Sequence, residues 1–384
     1  MNNRPLRVAI VMNTYEGRAE SGGFVHLFQS AKRWRNVSLG VFGPRSAAAR
    51  VTRELPGAEF FALPAAGASI GNRAIDYALR TIAAAATQPG RLRGFDVIYV
   101  LSQSVPDIVP AVLANAKRTV AQVFHLQPLP WKRSGSFLNN VFAYLSETIG
   151  VWLVRGFVTN VVVLTADIEP ALRVSKRTRV TRVGSGTWTI PIQGYELEAA
   201  SRSGVAYVGR LHPAKGLDDV IDAWATVAKR FPNEVLTLVG TGDPPYIVSL
   251  KARMGERGVE NSVRFAGFVT EEEKARILGA ARVFISASRE EGWGISVAEA
   301  LAIGVPAVTY DLPVFREVFA RGRIGVPLGD VAALSEAMIQ LLENDELHST
   351  LSREGRALAS ALSWDAVAGR EEEAIATAAK GAER

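Results

Sequence analysis

Short β-branched and aliphatic runs separated by amphipathic stretches recur through the second half of the chain. GVAYVGRL (204–211), EVLTLVG (234–240), SVRFAGFV (262–269), RVFISAS (282–288) and VPAVTY (305–310) read as strands. Between them fall helices, LDDVIDAWATVAKRF (217–231) with apolar residues at i, i+3 and i+4, and EEEKARILGAA (271–281). Near-continuous apolar strands alternating with helices of this kind predict a parallel sheet covered on both faces. The first half repeats the scheme: strand RVAIVM (7–12), a glycine-containing loop, helix FVHLFQSAKRW (24–34), then strands at 38–43, 95–103, 119–125 and 160–165.

The stretch 183–204 is rich in Gly, Ser and Thr and poor in apolar anchors, as a linker would be. From Asp330 onward the pattern is helical, with a last helix starting near Ser363-Trp364. The expected organisation is a first α/β domain over 1–190, a linker over 191–203, a second α/β domain over 204–362 and a C-terminal helix over 363–384. Both domains are expected to be doubly wound and Rossmann-like. In such sheets ligands bind beyond the carboxyl ends of the strands, so the two domains are expected to face each other across a cleft.

Composition narrows the classes. At 384 residues, 48% hydrophobic and 21% charged, the chain suits two ordinary soluble domains. It has no cysteine, which excludes disulfides, thiolate metal sites and cysteine nucleophiles. No run reaches the ~20 apolar residues of a membrane span, and the N-terminal apolar run is too short for a signal sequence, so a cytoplasmic location is expected. The charge is uneven. Residues 1–195 carry 23 Lys and Arg against 10 Asp and Glu, a net +13, whereas 196–384 carry 21 against 28, a net −7. Such a split suggests that the first half meets something anionic.

Candidate chemistry gathers where strands feed helices. In REEGWGISVAEALAIGVPAV (289–308), Glu291 lies in the loop after a strand and Glu299 about one turn inside the following helix. Eight residues at ~1.5 Å rise separate them by roughly 12 Å, too far for an acid–base dyad but suited to gripping two ends of one ligand. A helix N-terminus offers free N–H groups and the positive end of its dipole, and Gly292 and Gly294 let backbone approach an anion there. On spacing alone, a plain strand–loop–helix with surface glutamates explains the stretch as well. In YVGRLHPAKGLDDV (207–220), Arg210 and Lys215 flank a turn at another strand end and would suit a diphosphate. In isolation they also read as solvated cations.

Gly22-Gly23 opens the first helix and offers a further place for backbone to meet an anion, or only a tight turn. VGTGDPPY (239–246) breaks the dinucleotide fingerprint before its third glycine and is rejected as an NAD site. His125 ends a first-half strand and could polarise a hydroxyl or serve structure alone. The other histidines make no metal-ligand spacing, and no catalytic metal is expected. In 125–154, Trp131, Lys132 and Arg133 precede a helix with an apolar face. This is the pattern of an interfacial membrane helix, and equally of a core helix after a basic turn. No interleaved basic–aromatic module for nucleic acid is present.

SREEGWGISVAEALAIGVPAV resembles the signature of the retaining glycosyltransferases of family 4, which have the GT-B fold. YVGRLHPAKGLDDVIDAW resembles their second signature. The similarity runs over 204 to about 310 and recurs at Gly22-Gly23, at His125 and in the last helix, which the fold implies crosses back to the first domain. The resemblance implies a nucleotide diphosphate sugar held mainly by the second domain. Arg210 and Lys215 would hold the diphosphate, Glu299 the ribose and Glu291 the transferred sugar, with backbone from Gly292 through Trp293 and Gly294 to Ile295 closing around sugar and phosphate. Gly23 and His125 would face the reaction from the first domain, and the base would meet backbone near Val239-Gly240 and Gly267-Phe268. The chain departs from the family at Leu126, where many members are acidic, and at VGSGTW (183–188), which lacks the usual linker ending.

The implied function is retaining, metal-independent transfer of a hexose-type sugar to an acceptor hydroxyl, with no cofactor beyond the donor. The acceptor would be a glycan, a glycolipid or a small molecule. The basic first half favours a lipid-linked acceptor and a peripheral site on the cytoplasmic membrane face. Two other readings stand beside it: a GT-B nucleotide-sugar 2-epimerase, and a noncatalytic sugar-nucleotide-binding or scaffold protein.

Overall fold

The computed structural model describes residues 4–15, 22–64, 73–124, 126, 137–188, 192–195 and 201–381. His125, Trp131, Lys132 and Arg133 lie outside the described residues, as does part of the expected linker. The chain forms two compact units, one of residues 1–185 with 364–384 and the other of residues 186–363.

The first unit is built on β1 (Leu6–Val11), β2 (Val37–Gly43), β3 (Glu59–Ala62), β4 (Val97–Val100), β5 (Thr119–Val123), β6 (Asn160–Val163) and β7 (Arg179–Arg182). All pair in parallel, in the order β3-β2-β1-β4-β5-β6-β7. The central strands are buried throughout: Val97 to Val100 and Thr119 to Val123 expose almost nothing. The first helix spans Gly22–Ala31, so Gly22 and Gly23 form its first residues and its end falls short of the expected residue 34.

The last helix, Trp364–Gly381, belongs to this first unit and contacts the Gly22–Ala31 helix. Its Glu371 is fully buried, accepting hydrogen bonds from the Tyr99 hydroxyl at 2.7 Å and from Ser30, with His26 Nε2 2.9 Å away. Arg370 donates to the carbonyl of Val183 at 2.9 Å. A buried carboxylate with this many partners fixes the helix in one position on the unit.

The second unit is built on β8 (Val205–Val208), β9 (Leu236–Val239), β10 (Val263–Gly267), β11 (Val283–Ser286), β12 (Ala307–Tyr310) and β13 (Arg323–Val326), parallel in the order β10-β9-β8-β11-β12-β13. The helix Leu217–Arg230 buries Val220, Ile221, Trp224 and Val227 on one side. Its Asp218 and Asp219 lie in the first turn and Lys229 and Arg230 in the last, each sign at the end of the helix dipole that favours it. In both sheets the strand order reverses once, between β1 and β4 and between β8 and β11. Such a reversal opens a crevice at the carboxyl ends of the two strands, because their outgoing connections run to opposite faces.

Candidate active site

Both motifs of the second unit leave the reversal point of its sheet: 209–216 follows β8 and 287–294 follows β11. Backbone stitches the two loops together, the Arg289 N–H donating to the Ala214 carbonyl at 2.9 Å. Gly216 makes the approach possible. Its φ of 66° is left-handed, and a Cβ there would stand 2.0 Å from the Ala287 carbonyl oxygen. Below the loops, the Asp219 carboxylate accepts from the Tyr310 hydroxyl at 2.7 Å and from Arg289 at 2.6 Å.

This joint brings Lys215 and Glu291 into contact. Lys215 Nζ lies 2.6 Å from Glu291 Oε1, both side chains mostly buried, and Ser288 Oγ donates to the same oxygen at 2.8 Å. The buried Tyr207 hydroxyl donates to the Arg210 carbonyl at 3.0 Å. Burial first, and then the charge of Glu291, push the Tyr207 hydroxyl far above its ordinary range, so it stays protonated. The Arg210 side chain is exposed and makes no ion pair among the described residues.

The helix after the second loop spans Ile295–Ala302, with Gly294 as its left-handed N-cap. A Cβ on Gly294 would meet Phe315 at 2.6 Å, so this backbone position also requires glycine. The first N–H groups of the helix have no carbonyl partner within it and make an anion site beside Lys215 and Glu291. Trp293 is buried against Phe319, and its indole N–H has no partner among the described residues.

Glu299 is not an open acceptor. It is 4% exposed and paired with Lys274 Nζ at 2.8 Å. Lys274 also contacts Glu271 at 2.9 Å and sits 4.8 Å over the Trp188 ring, while Trp188 Nε1 donates to the Glu299 carbonyl at 3.0 Å. Burial raises the Glu299 carboxyl from 4.5 to about 7, and the charge of Lys274 works against that rise. Gly240 follows β9 and Gly267 ends β10, and the Gly240 N–H donates to the Gly267 carbonyl at 2.8 Å. The neighbouring Phe268 ring is 82% exposed.

Of the residues singled out from sequence, Lys215, Glu291, Gly292, Trp293, Gly294 and Ile295 therefore share one loop–helix junction. Glu299 lies one turn along the helix, Gly240 packs directly against Gly209 of the first loop, and Gly267 lies beside Gly240. Sequence reasoning passed over Lys274, Ser288 and Trp188. Lys274 sits in a run of glutamates that reads as a solvated face, and its partner is 25 residues further on.

The family described as glycosyl transferases group 1 matches residues 197–358. A phosphatidyl-myo-inositol mannosyltransferase of Mycobacterium leprae is 35% identical over 168 residues, 43% of this chain and 44% of that protein. Its Mycobacterium tuberculosis counterpart is 27% identical over 292 residues, 71% of each chain. Among solved structures, Anabaena Alr3699/HepE in complex with UDP and glucose superposes with a TM-score of 0.74 at 18% identity. That alignment covers 97% of this chain and 100% of the other, a likeness of fold.

Proposed function

We propose, from the match of residues 197–358 to the group 1 glycosyl transferases, that this chain moves a hexose from a nucleotide diphosphate sugar to an acceptor hydroxyl with retention and without a metal ion. The observation that carries the reading is the Lys215–Glu291 contact at the reversal point of the second sheet, beside the N-terminus of the Ile295–Ala302 helix. Cation, carboxylate and free N–H groups are what a diphosphate joined to a sugar requires.

In the proposed reaction the bond between the anomeric carbon and the diphosphate oxygen breaks, and the acceptor oxygen bonds to that carbon on the same face. The acceptor proton passes to the departing phosphate. Negative charge builds on the diphosphate, and Lys215, Arg210 and the helix N-terminus stabilise it in place of a divalent ion. Glu291 holds the sugar hydroxyls and Glu299 the ribose. A mannose donor is the first candidate, because the aligned relatives are named as mannosyltransferases. Their names also favour a lipid-linked acceptor, reached by a cytoplasmic enzyme at the membrane face.

The test is a thermal-shift screen against GDP-mannose, UDP-glucose and related donors, followed by NMR of the product's anomeric configuration. The true donor stabilises the protein by mass action. Activity unchanged by chelator, with an axial-to-axial outcome, supports the scheme. Strict dependence on added magnesium or manganese, or inversion, counts against it.

A further inference from the structure

Two neighbouring helices of the first unit turn an uncharged face outward. Among the described side chains of Phe137–Phe157, the large exposed ones are Phe142, Leu145, Ile149 and Trp152, at 38, 55, 52 and 61% exposure, followed by Phe157 at the helix end. Their spacing of three and four residues places them in one stripe along the helix. The remaining exposed positions between residues 141 and 157 are Thr148 and Gly156. In Arg73–Thr87 the exposed residues from position 75 onward are Ile75, Ala78, Ile82, Ala86 and Thr87, none of them charged. The helices meet where the Tyr77 and Phe142 rings pack edge to face at 5.6 Å and Ser146 donates to the Tyr77 hydroxyl. Surface helices of soluble domains ordinarily turn their polar side to water, so a face like this marks a docking surface.

The charge at its end says what docks. At the C-terminal end of the longer helix, Arg155 in its last turn donates to the Ala171 carbonyl at 3.0 Å, and Thr178 donates to the Val158 carbonyl just past it at 3.3 Å. These bonds hold the segment with the exposed Arg173, Lys176 and Arg177 against that end. The exposed Lys117 lies there too, its carbonyl accepting from Thr159 at 3.3 Å. None of these four cations makes an ion pair among the described residues. An apolar stripe with aromatic rings and a cluster of unpaired cations at one end complements an anionic lipid surface, where rings enter the acyl boundary and cations meet the headgroups. No helix among the described residues is long and apolar enough to cross a membrane. The helices lie on the surface and do not span it.

We infer that the face formed by helices Arg73–Thr87 and Phe137–Phe157 is a docking surface for an anionic lipid bilayer. The inference deepens the lipid-linked reading above by naming the surface that brings the enzyme to its acceptor, but its test needs neither donor nor acceptor. The full chain is mixed with vesicles of phosphatidylcholine alone or with phosphatidylglycerol and floated on a density gradient. The wild type should float with the anionic vesicles. I149E/W152E should float roughly tenfold less, and K176E/R177E should lose binding to anionic vesicles specifically, since apolar burial and headgroup attraction act together. Thermal unfolding of both variants should match the wild type, because the altered side chains are exposed.

A wild type that stays unbound with both vesicle types overturns the inference, as does an I149E/W152E variant that binds as well as the wild type. Sedimentation of the same samples covers the rival occupant. A wild-type dimer that I149E/W152E converts to monomer, without vesicle binding, assigns the face to a second copy and overturns the lipid assignment. A donor shift retained in I149E/W152E separates failure here from failure of the transferase reading.

Discussion

Lys274 and Glu299 form a shielded ion pair 2.8 Å apart, roofed by the Trp188 ring, at the position expected to hold the donor's ribose. An ionised carboxylate accepts hydrogen bonds from both ribose hydroxyls, whereas a protonated one loses an acceptor. Burial lifts the Glu299 carboxyl from 4.5 to about 7, so its ionisation rests on Lys274. Donor affinity should therefore weaken as pH falls below about 7, by roughly tenfold for each unit once protonation dominates. Calorimetric titration of donor between pH 5.5 and 8.5 checks the midpoint. The stability effect has the opposite sign. Because the folded state holds this proton more tightly than the unfolded one, this carboxyl destabilises the fold above pH 7, and that cost recedes as pH falls towards 4.5.

Replacing Lys274 by methionine keeps the aliphatic bulk under Trp188 and removes the charge. Glu299 should then titrate higher, and the donor KM at pH 7.5 should rise by roughly tenfold while kcat changes little. Lys274→Arg should restore most of the affinity. A fall in kcat with KM unchanged would place Lys274 outside ribose recognition.

Lys215→Ala should lower kcat by about 100-fold or more, because it removes a fixed cation from the developing diphosphate charge. Glu291→Gln keeps the shape but weakens the grip on the sugar, and should lower kcat/KM while nucleotide diphosphate alone binds as before. Steady-state kinetics with calorimetry of the sugar-free diphosphate separates the two roles.

Gly216→Ala should destabilise the protein by about 2–3 kcal/mol, since the new Cβ meets the Ala287 carbonyl and the backbone is left-handed. It should also abolish the donor-induced thermal shift by parting the two loops. Gly90→Ala is the control: it lies in a short helix with open space around the new Cβ. It should leave stability unchanged or slightly raised.

Glu371→Ala should cost roughly 3 kcal/mol, because the partners that donate to it lose a buried acceptor. Urea unfolding reads the loss. Limited proteolysis should show the Trp364–Gly381 helix released before the rest of the first unit.

Every interior strand is legible in the sequence, and so is one edge strand, β10; the other three edges are not. Central strands such as β4, β5 and β11 are covered on both faces, and VIYV, TVAQV and VFIS announce themselves as apolar runs. The three that escaped notice, β3, β7 and β13, are all edge strands. EFFA and RVTR are half-exposed, and RIGV is short and opens with a charge. An edge strand has a neighbour on one side only, so short, charged sequences are tolerated there and the apolar signal fades.

The two loops of the candidate site show the same division at closer range. Local pattern and backbone preference were enough for the parallel α/β architecture, the placing of both loops at strand ends and the helix start beside Gly294. Which side chains meet is settled only when the sheets and helices pack. Lys215 reaches Glu291 across 76 positions because the strand order reverses between β8 and β11. Lys274 is a partner of Glu299 because two helices pack around Trp188. Charge pairing is a property of distance in space, and a linear run of glutamates and lysines carries no record of which carboxylate each ammonium will face once water is excluded.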